Sequence, residues 1–137
     1  MERSKRNCGR ISVFKGREAR LNFAVFHILA LKGPQTIYDI HKEVKAQRGL
    51  RQTRYASVNK RVRLLEESGY IKKIGVKKTK AGFEASIYEL SARAYLAILL
   101  NSINLEDSLM RVDEATASTI LGVLISAREF CFRGMRS

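Results

Sequence analysis

The sequence predicts a mainly helical α+β chain with one small β-hairpin and further helices after it. Three observations carry that prediction. Apolar residues recur at helical spacing in three successive segments, separated by glycines and the single proline, Pro34. The spacing then switches to period two over residues 70–90, and returns to helical period after Ser91. At 137 residues the chain has the size of one ordinary domain, and its 45% hydrophobic content is that of a globular protein.

The first helix fits Arg17–Lys32, where Leu21, Val25, Ile28 and Leu29 form one stripe. Gly33-Pro34 ends it, because glycine accepts the left-handed cap and proline has no N–H to continue the ladder. A second helix fits Thr36–Gln47 on Ile37, Ile40 and Val44, with Gly49 beyond its end. A third fits Arg54–Ser68 on Val58, Val62 and Leu65, closed by Gly69. The connection between the second and third is expected to be short, about four to six residues, as in a helix-turn-helix.

Tyr70–Lys78 and Phe83–Leu90 read as two strands of a hairpin. Phe83, Ala85 and Ile87 alternate with Glu84, Ser86 and Tyr88. The intervening Lys77–Gly82 places lysines at the tip and a glycine free to turn. Two helices are expected beyond it. Ser91 is a good N-cap for a segment carrying Ala92, Tyr95, Leu96, Leu99 and Ile103. Asp113 is a second N-cap, with Glu114 well placed in the first turn. The stretch Ile120–Ala127 is apolar nearly all round and needs cover on more than one side.

The formal net charge is +13, from 26 Lys and Arg against 13 Asp and Glu. Residues 1–80 hold 21 of those cations and 6 of the acids, whereas residues 81–137 hold 5 and 7. The basic character therefore belongs to the first part, which points to a polyanionic partner, and the near-neutral remainder suits assembly. No apolar run approaches the ~20 residues that span a bilayer. Met1–Arg10 lacks the apolar core of a signal peptide, and Cys8 and Cys131 form no framework or Cys-x-x-Cys pair. A cytoplasmic, nucleoid-associated protein is expected. His27 and His41 sit on different helices without ligand-type neighbours, and phosphate-loop, nucleophile-elbow and His-Glu-x-x-His motifs are missing. No metal, cofactor or enzymatic activity is expected.

Helix, helix-turn-helix and basic hairpin, in that order, make a winged helix-turn-helix. The run Ala56-Ser57-Val58-Asn59-Lys60-Arg61-Val62-Arg63-Leu64-Leu65-Glu66-Glu67-Ser68-Gly69-Tyr70-Ile71 resembles the MarR/PadR-type transcriptional regulators. It carries a small hydroxyl residue, an apolar one, polar residues, then Leu-Glu-x-x-Gly-aromatic-Ile. Tyr88-Glu89-Leu90-Ser91 resembles the exit from the wing, so the likeness spans roughly Leu21–Tyr95. The resemblance implies a DNA-binding regulator and a small-molecule effector pocket near a dimer interface, for which no residue is specified.

The residues agree with it. With Val58, Val62 and Leu65 turned to the core, Ala56, Lys60 and Arg63 face outward at about 100° per residue, flanked by Ser57 and Asn59. The expected recognition-helix set is Arg54, Tyr55, Ser57, Asn59, Lys60, Arg61 and Arg63, with Asn59 suited to adenine and Lys60 or Arg61 to guanine or phosphate. A solvated basic face is the plain alternative. The wing set is Lys77, Lys78, Thr79 and Lys80. The arm set is Arg3, Lys5, Arg6 and Arg10, on a segment whose Ile11, Val13 and Phe14 suggest partial packing. Tyr95, Leu99, Ile103, Ile120, Leu121, Leu124, Ala127 and Cys131 are the expected dimer contacts. Residues 1–16 then form an arm, 17–90 the DNA-binding domain and 91–137 a dimerisation segment. The function expected is sequence-specific binding of double-stranded DNA by a homodimeric regulator, most simply a repressor. An RNA-binding or chromatin- or replication-associated winged-helix protein and a winged-helix protein–protein adaptor stay open. Membrane binding is not expected, since the cations are not on an amphipathic helix.

Overall fold

The computed structural model describes residues 11–136, with side chains described through residue 128. The elements are α1 (Ala19–Lys32), β1 (Gln35–Thr36), α2 (Ile37–Lys45), α3 (Tyr55–Glu67), β2 (Ile71–Lys78), β3 (Glu84–Leu90), α4 (Ala92–Ser102), α5 (Leu105–Arg111) and α6 (Glu114–Arg136). They fall into two compact units that divide between Ser102 and Ile103.

The first unit is built around α1. Its Leu21, Ala24, Val25, Phe26, Ile28 and Leu29 are all buried, so the helix is covered on most sides rather than along one stripe. Phe26 meets Phe14 edge-on at 5.4 Å, and Asn22 Nδ2 donates to the carbonyl of Val13 across 2.9 Å. That bond satisfies the buried amide nitrogen, though not its Oδ1, and holds a short 3-10 turn, Ser12–Phe14, against the core. Ile40 and Val44 of α2, Val58 and Val62 of α3, and Ile71 of β2 are the other large side chains that are fully buried.

Gly33 ends α1 with φ of 78°, its N–H returned to Leu29. Thr36 then caps α2, accepting from Asp39 N at 3.2 Å and donating to Asp39 Oδ2 at 2.9 Å. The connection from α2 to α3 runs over residues 46–54 and is longer than the four to six expected. Helical spacing stops being obeyed at Lys45, because the chain tightens into successive turns, with Leu50 N donating to Gln47 and Thr53 N to Leu50. His41 Nε2 bonds the Thr53 carbonyl at 2.9 Å and fixes this loop to α2.

The sheet is antiparallel in the order β1-β3-β2. Lys78 pairs with Glu84 and Ile71 with Leu90, with a bulge between Lys73 and Gly75. The two-residue β1, paired through Gln35 with Tyr88, is too short to carry a period and was not expected. The helical run after Ser91 stops at Ser102, so Ile103 lies in a break and not on the helix as expected. Asn104 starts α5 by accepting from Asp107 N at 3.3 Å, giving three helices after the hairpin instead of two. Asp113 caps α6 as expected, accepting from Thr116 N at 2.6 Å. No helix of the described residues is long and apolar enough to cross a membrane.

Candidate nucleic-acid interface

Helix α3 divides its residues by periodicity. Val58 and Val62 are fully buried and Leu65 nearly so, which leaves Ala56, Ser57, Lys60 and Arg63 exposed and Asn59 half-buried. Arg54 occupies the N-cap without a side-chain hydrogen bond, while Ser57 N in the first turn donates to the Arg54 carbonyl at 3.1 Å. Tyr55, in that turn, is half-exposed and meets the His41 ring edge-on at 5.6 Å. One turn later, Arg63 Nε donates to Asn59 Oδ1 across 3.2 Å.

Arg61 is set apart from this group. Its side chain is only 17% exposed and stands 3.9 Å from the Glu18 carboxylate beside α1. The structure therefore brings Tyr55, Asn59 and Arg63 together along one cleft, leaves Arg54, Ser57 and Lys60 exposed on the same segment, and turns Arg61 toward Glu18.

The hairpin tip is closed by hydrogen bonds centred on Thr79. Thr79 N donates to the Phe83 carbonyl at 2.7 Å, Gly82 N to Thr79 at 3.0 Å, and Phe83 N to Thr79 Oγ1 at 3.2 Å. Gly82 has φ of 84°, which a side chain would resist. Lys77, Lys78 and Lys80 are exposed around this turn. Between α2, α3 and the hairpin lies a cleft of about 260 Å³, lined by Tyr38, Tyr55, Asn59, Arg63, Glu84 and Ser86. A second concavity, about 530 Å³, opens between α1, the 46–54 loop and the end of α4, with Arg20, Phe23, His27 and Arg48 on its walls.

Several exposed groups on these elements escaped the sequence-based reading. Tyr38 is 67% exposed and Phe83, at the hairpin tip, 73%. Arg48 and Arg51 are exposed in the 46–54 loop, next to Arg54 in a three-residue spacing that was visible in the sequence. Arg3, Lys5, Arg6 and Arg10 lie outside the described residues, as does Cys8.

Of the expected dimer contacts, Tyr95 and Leu99 on α4 are half-exposed. On α6, Ile120, Leu121 and Leu124 are exposed together with Val123 and Ile125, and Ala127 is exposed as well. The side chain of Cys131 lies outside the described residues.

Three helices followed by a hairpin packed on them define a winged helix-turn-helix, the α+β class expected. Solved structures were found to be similar to it. Diamide-treated YodB from Bacillus subtilis matches with a TM-score of 0.51 at 15% identity, over 74% of this chain and 88% of that one. PadR from Bacillus subtilis, solved in complex with operator DNA, matches with a TM-score of 0.48 at 20% identity, over 81% of this chain and 61% of that one. At 15% identity what YodB and this chain share is the course of the backbone. No protein-family model matches the sequence, and no curated protein matches it.

Proposed function

We propose that the protein is a sequence-specific double-stranded DNA-binding transcriptional regulator, a repressor acting as a homodimer in the cytoplasm. The observation that carries this reading is the division of α3. One side is sealed into the core by Val58, Val62 and Leu65, while Ser57, Lys60 and Arg63 are exposed, next to a lysine-tipped hairpin. A helix so exposed fits the major groove, where its N-terminal half reaches base edges. The hairpin lysines then neutralise phosphates of the flank, and the basic residues of 1–16 extend that contact.

Residues 17–90 bind DNA in this reading, and residues 91–137 pair two copies. The exposed apolar side chains of α4 and α6 support the pairing, because so much uncovered apolar surface is costly in water. Two copies would present two recognition helices about one DNA turn apart.

Binding is tested by gel shift with duplex DNA, single strands and structured RNA, across a range of salt. The duplex is expected to be preferred, with log K falling by about 0.9 per phosphate neutralised. A preference for structured RNA, or an affinity insensitive to salt, overturns the reading.

A further inference from the structure

We propose that Asn59 and Arg63 act as one reading unit that selects guanine in the major groove, a deeper reading that rests on the proposed DNA binding. The two residues are one helical turn apart on α3, and Arg63 Nε donates to Asn59 Oδ1 across 3.2 Å. A guanidinium has donors and no acceptor, so the atom of the amide that faces it is the oxygen and not the nitrogen. The orientation of Asn59 follows from that chemistry alone.

The consequence is a change in what Asn59 offers. A free asparagine reads adenine by donating to N7 while accepting from the N6 amino group with the same amide. Here the carbonyl oxygen already accepts from a cation and is a poorer acceptor for a second donor. What the pair offers outward is the Nδ2 amino group together with the remaining guanidinium N–H groups. Guanine offers two acceptors side by side, N7 and O6, whereas adenine sets a donor beside its N7. A pair that offers mainly donors matches guanine and pairs the adenine amino group only weakly.

The surroundings leave the pair available. Both side chains line the cleft between α3 and the hairpin, and Arg63 makes no ion pair among the described residues. Arg61, two residues away, is held beside Glu18, so it does not supply this contact.

The test is selection from random duplex DNA with the native protein, Asn59→Ala, Arg63→Ala and the double variant, each checked for native helicity. The native motif is expected to contain a guanine whose replacement by adenine weakens binding roughly fivefold to a hundredfold. Both single variants should relax that same position, and the double variant should relax it no further than the more affected single. An adenine at the position that Asn59→Ala relaxes, single variants that relax different positions, or an Arg63→Ala protein weakened uniformly over all sequences each overturn the pair while leaving DNA binding intact. If the native protein enriches no motif, sequence-specific reading itself fails, and the pair with it.

Discussion

Arg93 Nη1 donates to the carbonyl oxygen of Ser68 across 2.7 Å, tying the first turn of α4 to the C-terminal cap of α3. The next two carbonyls are taken in the same way. Ser91 Oγ donates to Gly69 at 2.6 Å and Ser91 N to Tyr70 at 2.9 Å. Carbonyls at the end of a helix have no partner within it, and a cation there also opposes the negative end of the macrodipole. Helix α3 is thus capped by the segment that follows the hairpin.

Gly69 makes this tie testable. Its φ is 81°, and a Cβ there would lie 2.6 Å from Arg93 Nη1. Gly69→Ala is expected to cost about 1–2 kcal/mol from the left-handed backbone alone. Arg93→Ala should cost about 0.5–1.5 kcal/mol, as for one lost hydrogen bond. In urea unfolding the double variant should be more stable than the two losses predict, because removing the guanidinium relieves the clash. Strict additivity would show that the two residues do not meet.

The core and the surface of the same fold should respond very differently. Ile40 is fully buried, and Ile40→Ala is expected to lower stability by about 2–5 kcal/mol through lost transfer energy and a cavity. Leu31, 71% exposed on α1, should tolerate alanine within about 0.5 kcal/mol. Thermal unfolding by circular dichroism compares the two directly.

On DNA the two lysine groups should separate. Lys60→Ala, on the outward face of α3, is expected to relax base preference. Lys78→Ala, near the hairpin tip, should weaken every duplex alike and reduce the salt slope by about 0.9. Identical, sequence-blind effects from both would remove the distinction between reading helix and wing.

Asp113 gives a pH dependence of known sign. The Thr116 backbone N–H, and then the Thr116 side chain, hold its carboxyl below the ordinary aspartate value. A depressed folded value means that the cap's contribution is complete above about pH 4, the unfolded value, and is lost as pH falls through the lower folded one. Helicity of the native protein should therefore fall in acid, while Asp113→Asn, which caps without titrating, should show a flatter response over the same range.

Pairing through α6 predicts a simple outcome in the ultracentrifuge. Leu121 is 59% exposed, so Leu121→Asp should leave helicity unchanged. The same change places a charge in any apolar interface there, and the sedimenting species is expected to shift from dimer to monomer. A dimer that survives with undiminished affinity would place the contact elsewhere.

Much of the first unit was legible along the chain. Val58, Val62 and Leu65 mark the buried side of α3 because helical period and burial coincide in a helix covered on one face. The hairpin was legible from its period-two pattern and its glycine turn, although burial does not follow that pattern: Tyr88 and Leu90 are buried on β3, whereas Phe83 is exposed. The long α2–α3 connection was not, because residues 46–54 keep helix-like composition while making isolated turns. Strand β1 is two residues long and exists only because β3 lies alongside it. The break at Ile103 was hidden by apolar spacing that continues through it, although Asn104 was there to be read as a cap.

The sequence by itself determined the fold class, the basic first part and the exposed set on α3, since these follow from local period and charge. Only the tertiary structure decided which of those cations are free. Arg61 and Arg63 are equally basic and two residues apart, yet one is held beside Glu18 and the other beside Asn59. The Asn59–Arg63 contact is an i,i+4 pair that helical spacing allows, whereas the placement of Arg61 depends on Glu18 packing alongside α3, which no local spacing encodes. The same holds for Arg93, whose partner on α3 is 25 residues away and is brought near only by the return of the hairpin.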